Sequence, residues 1–540
     1  MTFVCVSTAA MAFEAQLVSN PNNLTAKEYT NPIIHADYSD PDVTASADGS
    51  TFYMTASSFQ CTPGLPILKS TDLVNWELVN YALTAVPPVD VYAGAPKHGK
   101  GVWAPCLRCH NGEYFIYWGD PDYGVFMTST RNPEGEWSAP VLVKAGKGII
   151  DPTPLWDEDG KAYLANGWAA SRIGFNSVIT ISEMTPDGKH VVGQPVLVYD
   201  GNDGVNHTVE GPKLYKRNGY YYLFAPAGGV ATGWQLVMRS NNIYGPYECR
   251  TIMAQGATDI NGPHQGALVD TPDGNSWFIH FQDKGAYGRV IHLNPVKWDN
   301  DWCVIGADRD GDGCGEPVNS FTRPLPASSA TFSSHQGAGL FEWHGNYDDS
   351  FGFQCGNGAT RIYGYGVDAD YCNLWSVPNL WLEKFPAEAF TLTAKVKISA
   401  KQSAEGVTSG FVVMGWDYCA LAVTLHNGEF VISQTVCRDA EQGGSEHSVE
   451  LARVKPSRSY SAGLLPNLER DLYVRVQVAK GAVCRFAYSL DGNRWSNAPA
   501  EFTARAGKWI GAKAGFYSIT PADVHDRGWI DVENVDLKID

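Results

Sequence analysis

Short runs of alternating apolar and polar residues, each entered through a glycine turn, recur along the first three hundred residues. ADGSTFYMTA, HNGEYFIYWG, EDGKAYLANG, RNGYYYLFAP and PDGNSWFIHF share one plan: a turn glycine, then an aromatic-rich strand. The glycines are Gly49, Gly112, Gly160, Gly219 and Gly274, at intervals near the roughly 50 residues of a four-stranded propeller blade. Further alternating segments such as PILKSTDLVNWELV, VFMTSTRNPEGEW and QLVMRSNNIYGPY follow the hairpins and bring each unit to about four strands. Asp-Gly and Asn-Gly turns occur in any antiparallel sheet, so the turns alone do not separate a propeller from a sandwich. The residues before them do. Nine positions ahead of each glycine stand Asp40, Trp103, Asp151, Glu210 and Gln265, an equal register that an irregular sheet would not keep. The innermost strand of a blade starts at the central channel, so these five positions are expected to meet in one axial pocket. Three of them are carboxylates, and Gln265 joins the expected substrate-binding set.

From about Pro324 the pattern breaks. RPLPASSATFSSHQGAG reads as a linker, after which FTLTAKVKIS, SGFVVMGW, CALAVTLHNGEFVISQTV, DLYVRVQVAKGAVCRFAYSLDG and WIDVENVDLKI alternate again. The expected architecture is all-β: a five-bladed β-propeller over residues 26–325, a linker over 326–346 and a jelly-roll-like antiparallel β-sandwich over 347–540. Residues 1–25 are expected to be an N-terminal arm or a signal-peptide remnant. Its TFVCVSTAAMA stretch ends like a signal-peptide cleavage site yet lacks a basic leader, so it fits a signal remnant and an irregular arm equally, and leaves secreted, periplasmic and cytoplasmic locations open. No later run has the apolar length of a membrane-spanning helix.

Composition narrows the partners. A formal charge of −18 makes nucleic acid and anionic membranes electrostatically unfavourable, whereas 17 Trp and 26 Tyr suit the flat apolar faces of sugar rings. Twelve cysteines are scattered rather than clustered, which argues against a disulfide scaffold. The one close pair lies in CLRCH, the spacing of a c-type haem attachment site. That reading fails on geometry: Cys106 and Cys109 fall on a strand, where residues three apart face opposite ways. No organic cofactor is expected.

Around the carboxylates the chain reads HADYSDPDV, GIIDPTPLWDEDG and HTVEGPKLYKRNGYYYLF, with SSFQCTPGLPILKSTDLVNW, WAP, NGPHQGALVDTPDG and YGRVIHL between and beyond them. Together these motifs resemble glycoside hydrolase family 43, the five-bladed propeller enzymes that include β-xylosidases and α-L-arabinofuranosidases, across most of residues 31–325. The resemblance implies an inverting mechanism: Asp40 as general base, Glu210 as general acid, and Asp151 orienting the acid and raising its pKa. Glycoside cleavage through an oxocarbenium-like transition state asks for such a set, one carboxylic acid at the leaving oxygen and one carboxylate activating water on the opposite face. A neighbouring negative charge is a standard way to keep the acid protonated. The resemblance also points to Phe59 and Trp103 as walls of the sugar site, to Arg289 as a donor to sugar hydroxyls, and to His264 beside a structural calcium in the channel. Calcium prefers oxygen, so contact there is expected through water. DRDGDGCGEP carries Asp308, Asp310 and Asp312 at EF-hand-like spacing but reads as a turn-rich excursion, because the rest of the loop and its helices are missing.

The leading expectation is an exo-acting hydrolase releasing β-D-xylose or α-L-arabinofuranose from xylo- or arabino-oligosaccharides. An arabinan- or galactan-directed hydrolase on the same scaffold is the alternative, and a non-catalytic lectin-like propeller is disfavoured by the complete acidic trio. The sandwich resembles the C-terminal domain attached to many β-xylosidases. It could bind carbohydrate through Trp375, Trp381 and Trp416, or buttress the propeller and lend a loop to the rim of the site; buttressing is the simpler reading. Oligomeric state is not legible.

Overall fold

The computed structural model describes residues 15–202, 204–326, 340–459 and 467–540. The signal-like stretch and the middle of the linker lie outside the described residues. Five antiparallel sheets form around one axis. Blade I runs outward from Asp42–Ala45 through Phe52–Thr55 and Gly64–Ser70 to Glu77–Leu83, with Gln16–Leu17 added at its edge. The inner strands of blades II to V are Trp103–His110, Ile149–Trp156, Lys213–Arg217 and His264–Asp270, each followed by three more.

Period-two alternation explains why these strands are so apolar. Phe52 and Met54 point into a core shared with Trp277 and Ile279 of blade V, while Tyr53 between them points into a core shared with Tyr114, Ile116 and Trp118 of blade II. Each strand thus serves the seams on both its sides, and most of the aromatic load fills seams rather than facing ligand. The ring is closed where Glu28–Thr30 pairs antiparallel with Ser320–Thr322 and Ile33 N–H donates to Ile291 O at 2.8 Å. Cys106 is buried with its Sγ 3.4 Å from Thr153 Oγ1 of blade III, Cys109 is half-buried against the core shared by blades I and II, and all eleven cysteines among the described residues are free.

The C-terminal part is two packed sheets. One contains Glu342–Trp343, Trp381–Lys384, Lys513–Thr520, Thr408–Met414, Tyr418–His426, Glu429–Cys437 and Glu446–Val454; the other is built on the long strands Phe390–Lys401, Asn467–Ala479 and Trp529–Ile539. None of the three expected indoles is a free sugar platform. Trp381 is buried and stacked on Phe341 at 4.2 Å between centroids, Trp375 stacks on His98 of the propeller at 3.7 Å, and Trp416 is half-buried with Arg505 above it. The sequence shows indoles, but not which side of a strand or loop faces a neighbouring domain.

The two domains are joined by polar contacts as much as by apolar ones. Thr62 and Trp343 exchange backbone hydrogen bonds, Lys513 Nζ donates to Cys61 Sγ at 3.3 Å, and His98 Nε2–H donates to Trp375 O at 2.7 Å. Glu383 is buried at the same seam, in a small hollow it lines with Tyr38 and Tyr81. Burial pushes its carboxyl up to about 8. The folded state therefore holds a proton there that the unfolded chain gives up nearer 4.5, and stability is lost as pH rises through that window. Glu383→Gln should melt with the parent near pH 4 and a few degrees above it at pH 8.5, by differential scanning calorimetry. An equal offset at both pH values would rule out Glu383 titration as the cause.

Candidate active site

At the mouth of every inner strand one residue lies in the left-handed region of backbone space. In blades I, III and V it is the register residue itself, Asp40 (φ 55°), Asp151 (φ 54°) and Gln265 (φ 32°). In blades II and IV it is the next one, Ala104 (φ 34°) and Gly211 (φ 57°). In blades II, III and V the strand pairing shifts at the same place, so a bulge breaks the ladder. Bulges re-aim side chains, and non-glycine residues in this conformation are costly enough to need support from their surroundings. In those three blades the bulges accompany the turning of Trp103, Asp151 and Gln265 into the central pocket.

Asp40, Phe59, Trp103, Asp151, Glu210, Gln265 and Arg289 all line one cavity of about 290 Å³. Ser57 Oγ donates to Asp40 Oδ2 at 2.6 Å and itself accepts from Ala104 N–H at 2.7 Å, tying blade I to blade II. Arg289 Nη1 reaches Asp40 Oδ1 at 3.3 Å, with its guanidinium over the Phe281 ring at 4.8 Å and the Trp509 ring at 5.7 Å. Asp151 is buried, and its Oδ2 accepts from Gly211 N–H at 2.7 Å. Burial first, then the negative charges of Glu210 and Asp40, hold Asp151 well above the ordinary carboxylate range, against the pull of that N–H and of the Lys213 ammonium. Gly211 cannot be replaced freely: besides its positive φ, a Cβ would stand 2.6 Å from Gln265 Cγ.

Glu210 is the most open of the three carboxylates, its side chain 25% exposed, and Oε1 lies 2.9 Å from His264 Nε2. His264 is fully buried behind it, and its Nδ1 has no partner among the described residues. The expected calcium finds little here. It takes about six to eight oxygen ligands, whereas His264 offers one ring nitrogen, the other being engaged by Glu210. Among the described residues the one cluster of candidate ligand side chains is the exposed Asp308, Asp310 and Asp312. With Gln265 Oε1, unpartnered among the described residues, the protein atoms at His264 come to one oxygen and one ring nitrogen, well short of a calcium shell.

Trp168, Ala169–Ser171, Asn176, Val230 and Trp509 complete the pocket without having been singled out in the sequence. Trp509 comes from the sandwich. It meets Trp103 edge-on at 6.3 Å, and Trp103 meets Phe59 at 6.5 Å, so three rings form one wall. Asp37 holds the Trp509 loop: Oδ1 accepts from Arg289 N–H at 2.8 Å and Oδ2 from Gly511 N–H at 2.9 Å. No local motif marks Trp509, because its role depends on which loop of a second domain docks over the channel.

Residues 29–303 match the family model described as glycosyl hydrolases family 43, and residues 329–538 match the beta xylosidase C-terminal concanavalin A-like domain. A putative beta-xylosidase of Xylanibacter ruminicola is 35% identical over 502 residues, covering 90% of this chain and 85% of its own. A beta-xylosidase of Formosa agariphila is 29% identical, covering 94% of this chain and 89% of its own. Among solved structures, the GH43 protein BlXynB from Bacillus licheniformis superposes with a TM-score of 0.77 at 22% identity, over 95% of this chain and all of its own, a likeness of fold.

An indole wall contributes mainly ring contact, worth about 1 kcal/mol or somewhat more. Trp509→Ala should therefore weaken monosaccharide binding about tenfold by calorimetric titration, with Trp509→Phe close to the parent. Unchanged affinity in the alanine variant would show that Trp509 borders the cavity without touching the ligand.

Proposed function

The chain belongs to glycosyl hydrolases family 43 and is a glycoside hydrolase; from that premise we propose that it is an inverting, exo-acting enzyme that removes terminal β-D-xylose or α-L-arabinofuranose from hemicellulose-derived oligosaccharides. The observation that carries this reading is the meeting of Asp40, Asp151 and Glu210, from three blades, in a single small pocket. At about 290 Å³ the cavity stands at the low end of ligand pockets. It suits one pentose residue better than an internal stretch of a polymer. The named activities of the relatives from Xylanibacter ruminicola and Formosa agariphila point the same way.

In this reading Asp40, steadied by Ser57 and Arg289, takes a proton from the attacking water as its oxygen bonds to the anomeric carbon. Glu210 gives its proton to the departing oxygen as the glycosidic bond breaks. His264 anchors Oε1 of the acid and leaves Oε2 for the substrate. Asp151 stands beside both, fixed by Gly211 N–H, and orients the acid. Trp103, Phe59 and Trp509 enclose the sugar ring, while Gln265 and Arg289 offer hydrogen bonds to its hydroxyls. Exchange with solvent then returns the proton from Asp40 and restores Glu210.

Proton NMR of the first-formed sugar from aryl β-D-xylopyranoside and α-L-arabinofuranoside should show inverted anomeric configuration; a retained product would overturn the mechanism. Glu210→Gln should lower turnover of unactivated xylo-oligosaccharides by about 10²–10⁴-fold and spare aryl glycosides with acidic phenols, whereas Asp40→Asn should impair both alike. Equal losses on both substrates in Glu210→Gln would reassign the acid.

A further inference from the structure

Beneath the carboxylates the channel is filled by charge. Lys213, whose side chain is 1% exposed, places Nζ 2.8 Å from Asp42 Oδ2 and donates to Pro105 O at 2.9 Å. Arg108 Nη1 donates to Asp42 Oδ1 at 2.7 Å, Nη2 reaches Thr153 Oγ1 at 3.4 Å, and the guanidinium lies over the Tyr215 ring at 4.9 Å. Thr153 Oγ1 also accepts from Leu214 N–H at 3.2 Å, and Tyr215 Oη accepts from Leu268 N–H at 3.0 Å. All five inner strands therefore meet in this one cluster.

The strand positions matter. Asp42 follows Asp40 by two residues, Thr153 follows Asp151 by two, Pro105 follows Trp103 by two and Lys213 follows Glu210 by three. Asp40, Trp103, Asp151 and Glu210 each have a near neighbour in the chain that belongs to this cluster. A displacement of that layer is passed directly to the carboxylates above it, because only one or two residues intervene. The cluster also holds two cations against one anion, and each Asp42 oxygen already faces a cation. A divalent ion in the same space would meet net repulsion and find no available carboxylate.

We propose that Lys213 and Arg108 are the channel's own cations, that catalysis needs no metal there, and that Lys213 is a positioning residue holding the strand of the acid against the strand of the base. The proposal rests on the roles given above to Asp40 and Glu210. The cluster acts by geometry. Misplacing reacting groups by about 1 Å costs on the order of 100-fold in rate, whereas two of the walls that enclose the sugar, Phe59 and Trp509, lie on segments outside the cluster.

The test pairs metal analysis with charge-deleting and charge-keeping variants. Wild-type protein dialysed against EDTA should contain far less than one metal ion per chain by plasma mass spectrometry and keep its kcat on an aryl pentoside, with or without added calcium. Lys213→Met should lose about 10- to 100-fold in kcat with KM within about threefold, and Lys213→Arg should recover most of the loss. If Lys213→Met is unfolded by circular dichroism, the pair Arg108→Gln and Arg108→Lys is read in the same way. Stoichiometric metal with activity lost on chelation, an unchanged kcat without the charge, or equal failure of both variants at a position would each overturn the proposal. A wild type that cleaves no pentoside would instead overturn the functional reading, leaving the metal analysis to stand by itself.

Discussion

Three carboxylates brought to one axis repel one another, and much of the propeller's interior is arranged around holding them together. Each is held by a different kind of group. Asp40 has a hydroxyl and a guanidinium, Asp151 a backbone N–H, and Glu210 an imidazole. This asymmetry lets residues of similar chemistry take different roles: the most buried one is pushed towards the protonated form, while the most open one faces the solvent side of the pocket. Beneath them a cation-rich layer supplies the opposite charge, so the axis alternates in sign with depth.

The blades were legible in the sequence because period-two alternation and turn glycines are local signals. The equal register before those glycines was enough to bring Asp40, Trp103, Asp151, Glu210 and Gln265 together. It could not show that the left-handed residue slips by one position in blades II and IV, since a bulge leaves no compositional mark at Ala104. It could not show that His264 reaches Glu210, because that contact crosses from blade V to blade IV. The calcium expectation followed from the resemblance, and the protein atoms at His264 supply only a small part of the shell that ion takes.

The sandwich was recognisable as strands but not as part of the site. Its aromatic residues looked like candidates for a separate sugar platform, whereas the folded chain uses Trp381 in a core, Trp375 against His98 and Trp509 at the pocket. Long-range docking of this kind rests on matching surfaces such as the Thr62–Trp343 backbone pair and the Asp37 bridge, neither of which has a sequence signature.

That the third ring of the wall belongs to the sandwich divides the site between two inheritable modules. The propeller keeps the bond-breaking groups, all of which depend on one another through the channel and tolerate little independent change. The sandwich loop touches that assembly at Asp37 and with one indole, so it can drift, lengthen or be exchanged by recombination while the charge arrangement below stays intact. Selection on which sugar is accepted can thus act on a segment that carries no reacting group.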